Sequence, residues 1–136
     1  MDWKTCVDRR FVKKISSDFE LIESLKITSQ KRFETAGRLE LDDITAGSII
    51  TLYYDSLREL LEALAIKEGY KIYNHDCYCS FLKEIMGEET LSSIFDKFRR
   101  VRNDINYYGK DLDVKDALVL VSDLKSLIAN VRKILS

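Results

Sequence analysis

Apolar residues recur along most of this chain at intervals of three and four, the spacing that lines one face of an α-helix. The clearest series is Ile50, Tyr53, Tyr54, Leu57, Leu60, Leu61 and Leu64. A second runs through Leu91, Ile94, Phe98, Val101 and Ile105, and a third through Leu118, Val121, Leu124, Leu127, Ile128, Val131 and Ile134. Phe19, Ile22 and Leu25 make a shorter inward face. Proline is absent, and the five glycines stand at 37, 47, 69, 87 and 109. Most of them read as stops between helices.

These signals predict the elements. Trp3 to Lys14 reads as a short helix. Ser17 with Glu20 forms a capping box for a second helix ending near Gly37. Asp42 and Asp43 open a third, which Gly69 closes; Gly47 lies inside it at a cost of about 1 kcal/mol against alanine. Tyr70 to Tyr73 is a connector able to pair as a strand, with no partner strand in view. Asn74 caps a short helix ending at Gly87, Glu88 to about Tyr107 forms the next and Gly109 stops it, and Asp113 starts the last. The expectation is an all-α, up-and-down helical bundle of four main helices plus one or two short ones, with residues 1–136 a single domain.

Composition narrows the class. Of 136 residues, 46% are hydrophobic and 33% charged, enough for both a core and a solvated surface, so disorder is excluded. A net charge of −1 sets up no strong field toward nucleic acid or membranes. No apolar run approaches the roughly 20 residues of a bilayer span. The first residues, Met1 to Cys6, open no apolar stretch, so no secretory signal and no membrane partner are expected. Three cysteines are too few for a disulfide scaffold, which points to a reducing cytoplasm with the thiols as small core residues.

Several chemistries drop out. No two glycines stand within nine residues of each other, so there is no glycine-rich phosphate loop. His75 is the single histidine, which leaves no His-Glu-x-x-His zinc site and one candidate base for a nucleophilic triad. His75 and Cys79 are i, i+4 neighbours on a helix, but Cys77 lies roughly 200° round from either. No metal and no cofactor are expected; His75 reads as a residue ordering a helix start.

The informative stretch is Phe95 to Lys110. Between Lys97 and Lys110 stand Lys97, Arg99, Arg100, Arg102 and Lys110 against Asp104 alone. On a helical wheel Arg102 falls inside the apolar arc, between Phe98 and Phe95, with Asn106 one turn on and Arg99 near the same edge. An arginine there is costly unless it is paired or lines a cleft or interface. Arg, Asn and Tyr together offer donors and stacking surfaces suited to phosphate and base. The plainer alternative is an Arg102 that bridges helices to a carboxylate such as Glu59 or Glu62.

At these residues the chain resembles the HEPN-domain family of small all-α proteins. The family signature is Arg, a polar residue often Asn, and then His after four to six intervening residues. Arg102-Asn103 match its start, and Tyr107 stands where the family's ribonucleases have histidine. Ser56 to Leu64, Gly69-Tyr70 and His75 resemble a long family helix, its stop and the approach to a short helix. The resemblance implies a homodimer, with RNA or nucleotide as ligand, in a toxin–antitoxin system or beside a minimal nucleotidyltransferase.

The leading expectation is nucleotide or RNA-phosphate binding by Arg99, Arg102, Asn103, Asn106 and Tyr107, without catalysis. A phenol with a pKa near 10 is a poor base at neutral pH. Tyr107 also lies about 140° round the helix from Arg102. The alternatives are a metal-independent ribonuclease using Arg102 with Tyr107 or His75, His75 acting across a dimer cleft, and an assembly subunit without nucleotide affinity. Arg9, Arg10, Lys13 and Lys14 read as a solvated helix face, Trp3 as the cover of a bundle end, and the remaining tyrosines as core and interface residues.

Overall fold

A computed structural model describes residues 1–108 and 112–136, with every side chain among them except those of Tyr107 and Tyr108. The chain runs α1 (Trp3–Asp8), β1 (Val12–Lys14), α2 (Phe19–Arg38), α3 (Ala46–Lys67), β2 (Tyr70–Ile72), α4 (Asp76–Ser80), a π-helical turn (Phe81–Ile85), α5 (Glu89–Tyr108) and α6 (Val114–Leu135). It is an all-α bundle of four long helices and two short ones, with one small antiparallel ribbon. No described helix is long and apolar enough to cross a membrane.

The most continuous apolar stripe becomes the centre. Ile50, Tyr53, Tyr54, Leu57, Leu60, Leu61 and Leu64 are all buried on α3, and α2, α5 and α6 pack against that helix. Burying one such leucine contributes roughly 1.5–3 kcal/mol. Gly47 explains its own place in the helix: a Cβ there would lie 3.3 Å from Ile105 Cγ2. The glycine weakens α3 locally and lets α5 approach it one turn beyond Arg102. Gly69, at φ +89°, turns the chain out of α3 and into β2.

The ends of the elements depart from expectation. The segment from Trp3 to Lys14 is not one helix. Arg10, at φ +61°, takes the chain out of α1, and Val12–Lys14 pairs with Ile72–Tyr70. The connector therefore does find a partner strand, 58 residues upstream at Val12–Ile72's mid-pair Lys13–Lys71. The basic Arg9, Arg10, Lys13 and Lys14 are exposed, but on a turn and a strand. At α2 the cap is Asp18, whose carboxylate accepts from Leu21 N at 3.1 Å, in place of a Ser17–Glu20 box. Helix α3 starts after Thr45, because Asp42 spends its carboxylate on the amides of Ile44 and Thr45 in a turn.

Two assignments on the stripes, and the reading of the cysteines, are corrected too. Phe19 is 74% exposed, sitting at the first residue of α2 ahead of its neighbours' cover. Leu118 is 57% exposed; the inward face of α6 runs through Ala117, Leu120, Leu124, Leu127, Ile128, Val131 and Leu135 instead. The thiols are not all reduced: Cys6 and Cys77, both fully buried, form a disulfide with Cα atoms 6.0 Å apart. Distance along the chain hid this pair. It ties α1 to α4 across a separation of 71 residues, a loop whose closure contributes about 4 kcal/mol in the chain-entropy account. Trp3 packs on Tyr70 and Phe81, covering this end of the bundle. Gly109, expected to stop α5, and Lys110 lie outside the described residues.

Candidate functional site

Arg102 does occupy the apolar seam that its wheel position indicated. Its guanidinium lies over the Tyr54 ring, 5.6 Å from the centroid. Nη2 is 4.0 Å from Asp55 Oδ1, the outer limit of an ion pair. Both side chains of the pair are about four-fifths buried. Its Nε is buried and has no hydrogen-bond partner among the described residues. Arg102 therefore bridges α5 to α3 as the plainer alternative held, but to Asp55 and not to Glu59 or Glu62. Those two carboxylates are already taken, Glu59 by Arg32 and Glu62 by Arg58 at 3.6 Å.

Tyr54 is the hinge of the cluster. Its ring stacks on Phe95, 5.7 Å away and inclined by 13°, and its hydroxyl lies 3.4 Å from His75 Nδ1. Burial pushes the phenol up to about 12, with Arg102, Arg58 and Arg99 pulling the other way. Burial also holds the His75 imidazolium below the ordinary histidine range, and the guanidinium charges of Arg58 and Arg102 act in the same direction. His75 is accordingly neutral at pH 7, and its contact is with Tyr54. The start of α4 is ordered by Asn74, whose carboxamide oxygen accepts from Asp76 N at 2.9 Å. The role expected of His75 there falls to Asn74. No second copy is needed to bring His75 near Arg102, since both touch Tyr54.

Arg99 faces elsewhere. It donates to Asp96 at 2.8 and 3.3 Å and lies 3.8 Å from Asp76. Arg100 also pairs with Asp96, at 2.9 Å. Burial works against the Asp96 carboxylate, but the hydrogen bond and charge of Arg99 win and hold it below its usual range. Much of the basic segment is thus neutralised within its own helix. Asn103 is half-buried and Asn106 exposed on α5, while the side chain of Tyr107 lies outside the described residues.

The short motif around His75 does not converge on a metal. Cys77 is in the disulfide, His75 faces Tyr54, and Cys79 lies 3.8 Å from Asp96. Asp76, Cys79 and Asp96 do present their ligand atoms within 4.8 Å of one another. Their countercharges are already in place: Arg99, Arg100 and the N-terminal ammonium, the last 3.5 Å from Asp76. Burial, then the charge of Asp96, pushes the Cys79 thiol up to about 12, so it is no ready thiolate ligand.

Sequence reasoning found Arg102 and missed its α3 partners, Tyr54 and Asp55. A signal existed. Asp55 follows the stripe residue Tyr54 and precedes Arg58 by three, placing a charged edge beside the apolar face. No protein-family model, curated protein or solved structure matches the chain.

Proposed function

We propose that this chain is a HEPN-like, cytoplasmic homodimer that binds nucleotide or RNA phosphate at Arg102 without cleaving it, as part of a toxin–antitoxin or nucleotidyltransferase-linked system. One observation carries the binding reading: a desolvated guanidinium lying over Tyr54 which, among the described residues, has one carboxylate, at 4.0 Å, and no partner for its Nε. A buried donor left open costs about 1–3 kcal/mol, which a phosphate oxygen would recover. Arginine's planar fork suits two phosphate oxygens at once. Arg58 adds charge beside it, Asn103 and Asn106 on α5 add amide donors, and Arg99 and Tyr107 extend the helix's polar set. The exposed Leu118 and Val119 on α6 support an interface with a second subunit.

The test is RNA and nucleotide binding by the purified protein, with Arg102→Ala as the comparison. Arg102→Ala is expected to stay helical and lose binding. Unchanged affinity in that folded variant rules the site out.

His75 favours a second reading, a metal-independent ribonuclease. It is neutral at pH 7 and shares Tyr54 with Arg102. In that reaction His75 takes the 2′-hydroxyl proton and the 2′-oxygen bonds phosphorus. The 5′-oxygen then leaves with a proton from water, while Arg102 stabilises the charge on phosphorus. It requires RNA cleavage that survives chelator and disappears in Arg102→Ala. Absence of cleavage by the wild type sinks it and leaves binding.

A further inference from the structure

We infer that the Cys6–Cys77 disulfide is a redox latch, holding residues 1–14 against α4 and thereby setting the affinity of the Arg102 site. The latch stands on its own geometry; its effect on ligand affinity rests on the phosphate-binding reading above.

The latched segment has little else to hold it. Helix α1 has six residues, well short of the roughly 12–15 that an isolated helix needs to persist in water. Strand β1 has three. Its other ties are the β1–β2 ribbon, with Phe11 O accepting from Tyr73 N at 2.8 Å, and a set of contacts around residues 1–3. The N-terminal ammonium stands 3.5 Å from Asp76, Trp3 N donates to Glu84 Oε2 at 2.7 Å, and the Ser80 hydroxyl donates to the Met1 carbonyl. The Trp3 ring lies against Tyr70 and Phe81. With the S–S bond closed the loop between Cys6 and Cys77 is already closed, so these contacts form at a smaller entropic cost. With the bond open, α1 is held only by these contacts and by the ribbon that follows it, so it is the element most easily released by local unfolding.

The other half of the bond sits next to the site. Cys77 follows His75 and Asp76, and those two residues reach Tyr54 and Arg99 respectively. Releasing residues 1–14 removes the ammonium from Asp76 and the disulfide and Ser80 ties from α4. The helix start that carries His75 then loses its tie to the N-terminal segment, and the His75–Tyr54 contact loosens with it. Cys79 does not short-circuit the latch. Its thiol is half-buried, lies beside Asp96 and stays protonated, so it makes a poor attacking group.

The opening step needs a dithiol reductant. Because both sulfurs are fully buried, it acts when α1 frays from the chain end. One reductant thiolate attacks Cys6 Sγ, breaking the S–S bond and releasing Cys77 as a thiolate that takes up a proton. The second reductant thiol displaces Cys6, which leaves as a thiol, and the reductant ends as a disulfide. Two electrons and two protons pass to the protein. A two-electron oxidant closes the latch and the dithiol reductant opens it.

The test compares the oxidised wild type, the same protein reduced with dithiothreitol, and Cys6→Ser. Each is probed by trypsin at Lys4, Arg9, Arg10, Lys13 and Lys14, by far-UV circular dichroism and by RNA binding. In the reduced and Cys6→Ser forms, cleavage at these sites is expected to rise about tenfold or more while the helical signal persists. RNA affinity is expected to fall about fivefold. Equal cleavage rates overturn the latch. So does loss of the whole helical signal on reduction, which would make the bond a staple of the entire domain. If redox-dependent cleavage appears but the oxidised protein binds no RNA, the latch stands and the phosphate-binding reading fails.

Discussion

Two arginines reach carboxylates one turn apart on α3, and they end in opposite conditions. Arg32, from α2, closes on Glu59, which is only 6% exposed, while its own side chain is 41% exposed. Burial raises the Glu59 carboxyl, and Arg32's charge and hydrogen bond counter that. Arg102, from α5, stops 4.0 Å from Asp55 with both side chains about one-fifth exposed. The first pair buries the acid and leaves the base in water, so the base spends its free donors on solvent. The second buries four-fifths of the base and leaves its Nε without a partner among the described residues. A satisfied pair braces two helices; the unsatisfied one is where the proposed anion would bind.

The comparison breaks most severely at Arg32. Arg32→Ala strands the Glu59 carboxylate, and the loss is expected at about 2 kcal/mol, below the full cost of a buried pair because Arg32 is well exposed. Chemical denaturation should register it as a lower midpoint with RNA binding unchanged. Arg102→Ala should do the reverse, lowering RNA affinity about tenfold or more, near 1.4 kcal/mol, and leaving the midpoint within about 1 kcal/mol. If the two variants behave alike, the contrast between the pairs is wrong.

Acidity sharpens the contrast at the His75 side. His75's folded pKa is lowered by burial, then by Arg58 and Arg102, so below about pH 6.5 the unfolded chain binds the extra proton first. Stability is therefore complete above 6.5 and falls as pH drops toward the lowered folded value. Asp96, whose folded pKa is also lowered, contributes a loss only at more acid pH, below its ordinary 3.8. Denaturation between pH 7.5 and 5.5 should slope downward in wild type and flatten in His75→Gln; equal slopes would discount the burial of the imidazole.

The smallest effect belongs to Gly47→Ala. The helix gains nearly 1 kcal/mol of propensity, and the new methyl meets Ile105 Cγ2 at 3.3 Å. A net stability change within about 0.5 kcal/mol is expected. RNA binding should weaken slightly, because the shift is passed to α5 one turn from Arg102.

The periodicity of apolar positions determined the four long helices, since each must bury one stripe and the stripes are unbroken by proline. It also determined that Arg102 would lie in a seam, because Phe95, Phe98 and Val101 on its own helix leave it no other face. Tertiary structure decided the rest. Phe19 and Leu118 fit their stripes and are exposed, because periodicity marks a face but not where the neighbouring helix ends. Arg102 meets Asp55, while Glu59 and Glu62 pair with Arg32 and Arg58. The ribbon, the Cys6–Cys77 bond and the convergence of Tyr54, His75 and Arg102 join residues 21 to 71 positions apart. Local sequence carries no record of such contacts. They exist only once α3 has gathered its neighbours around one core.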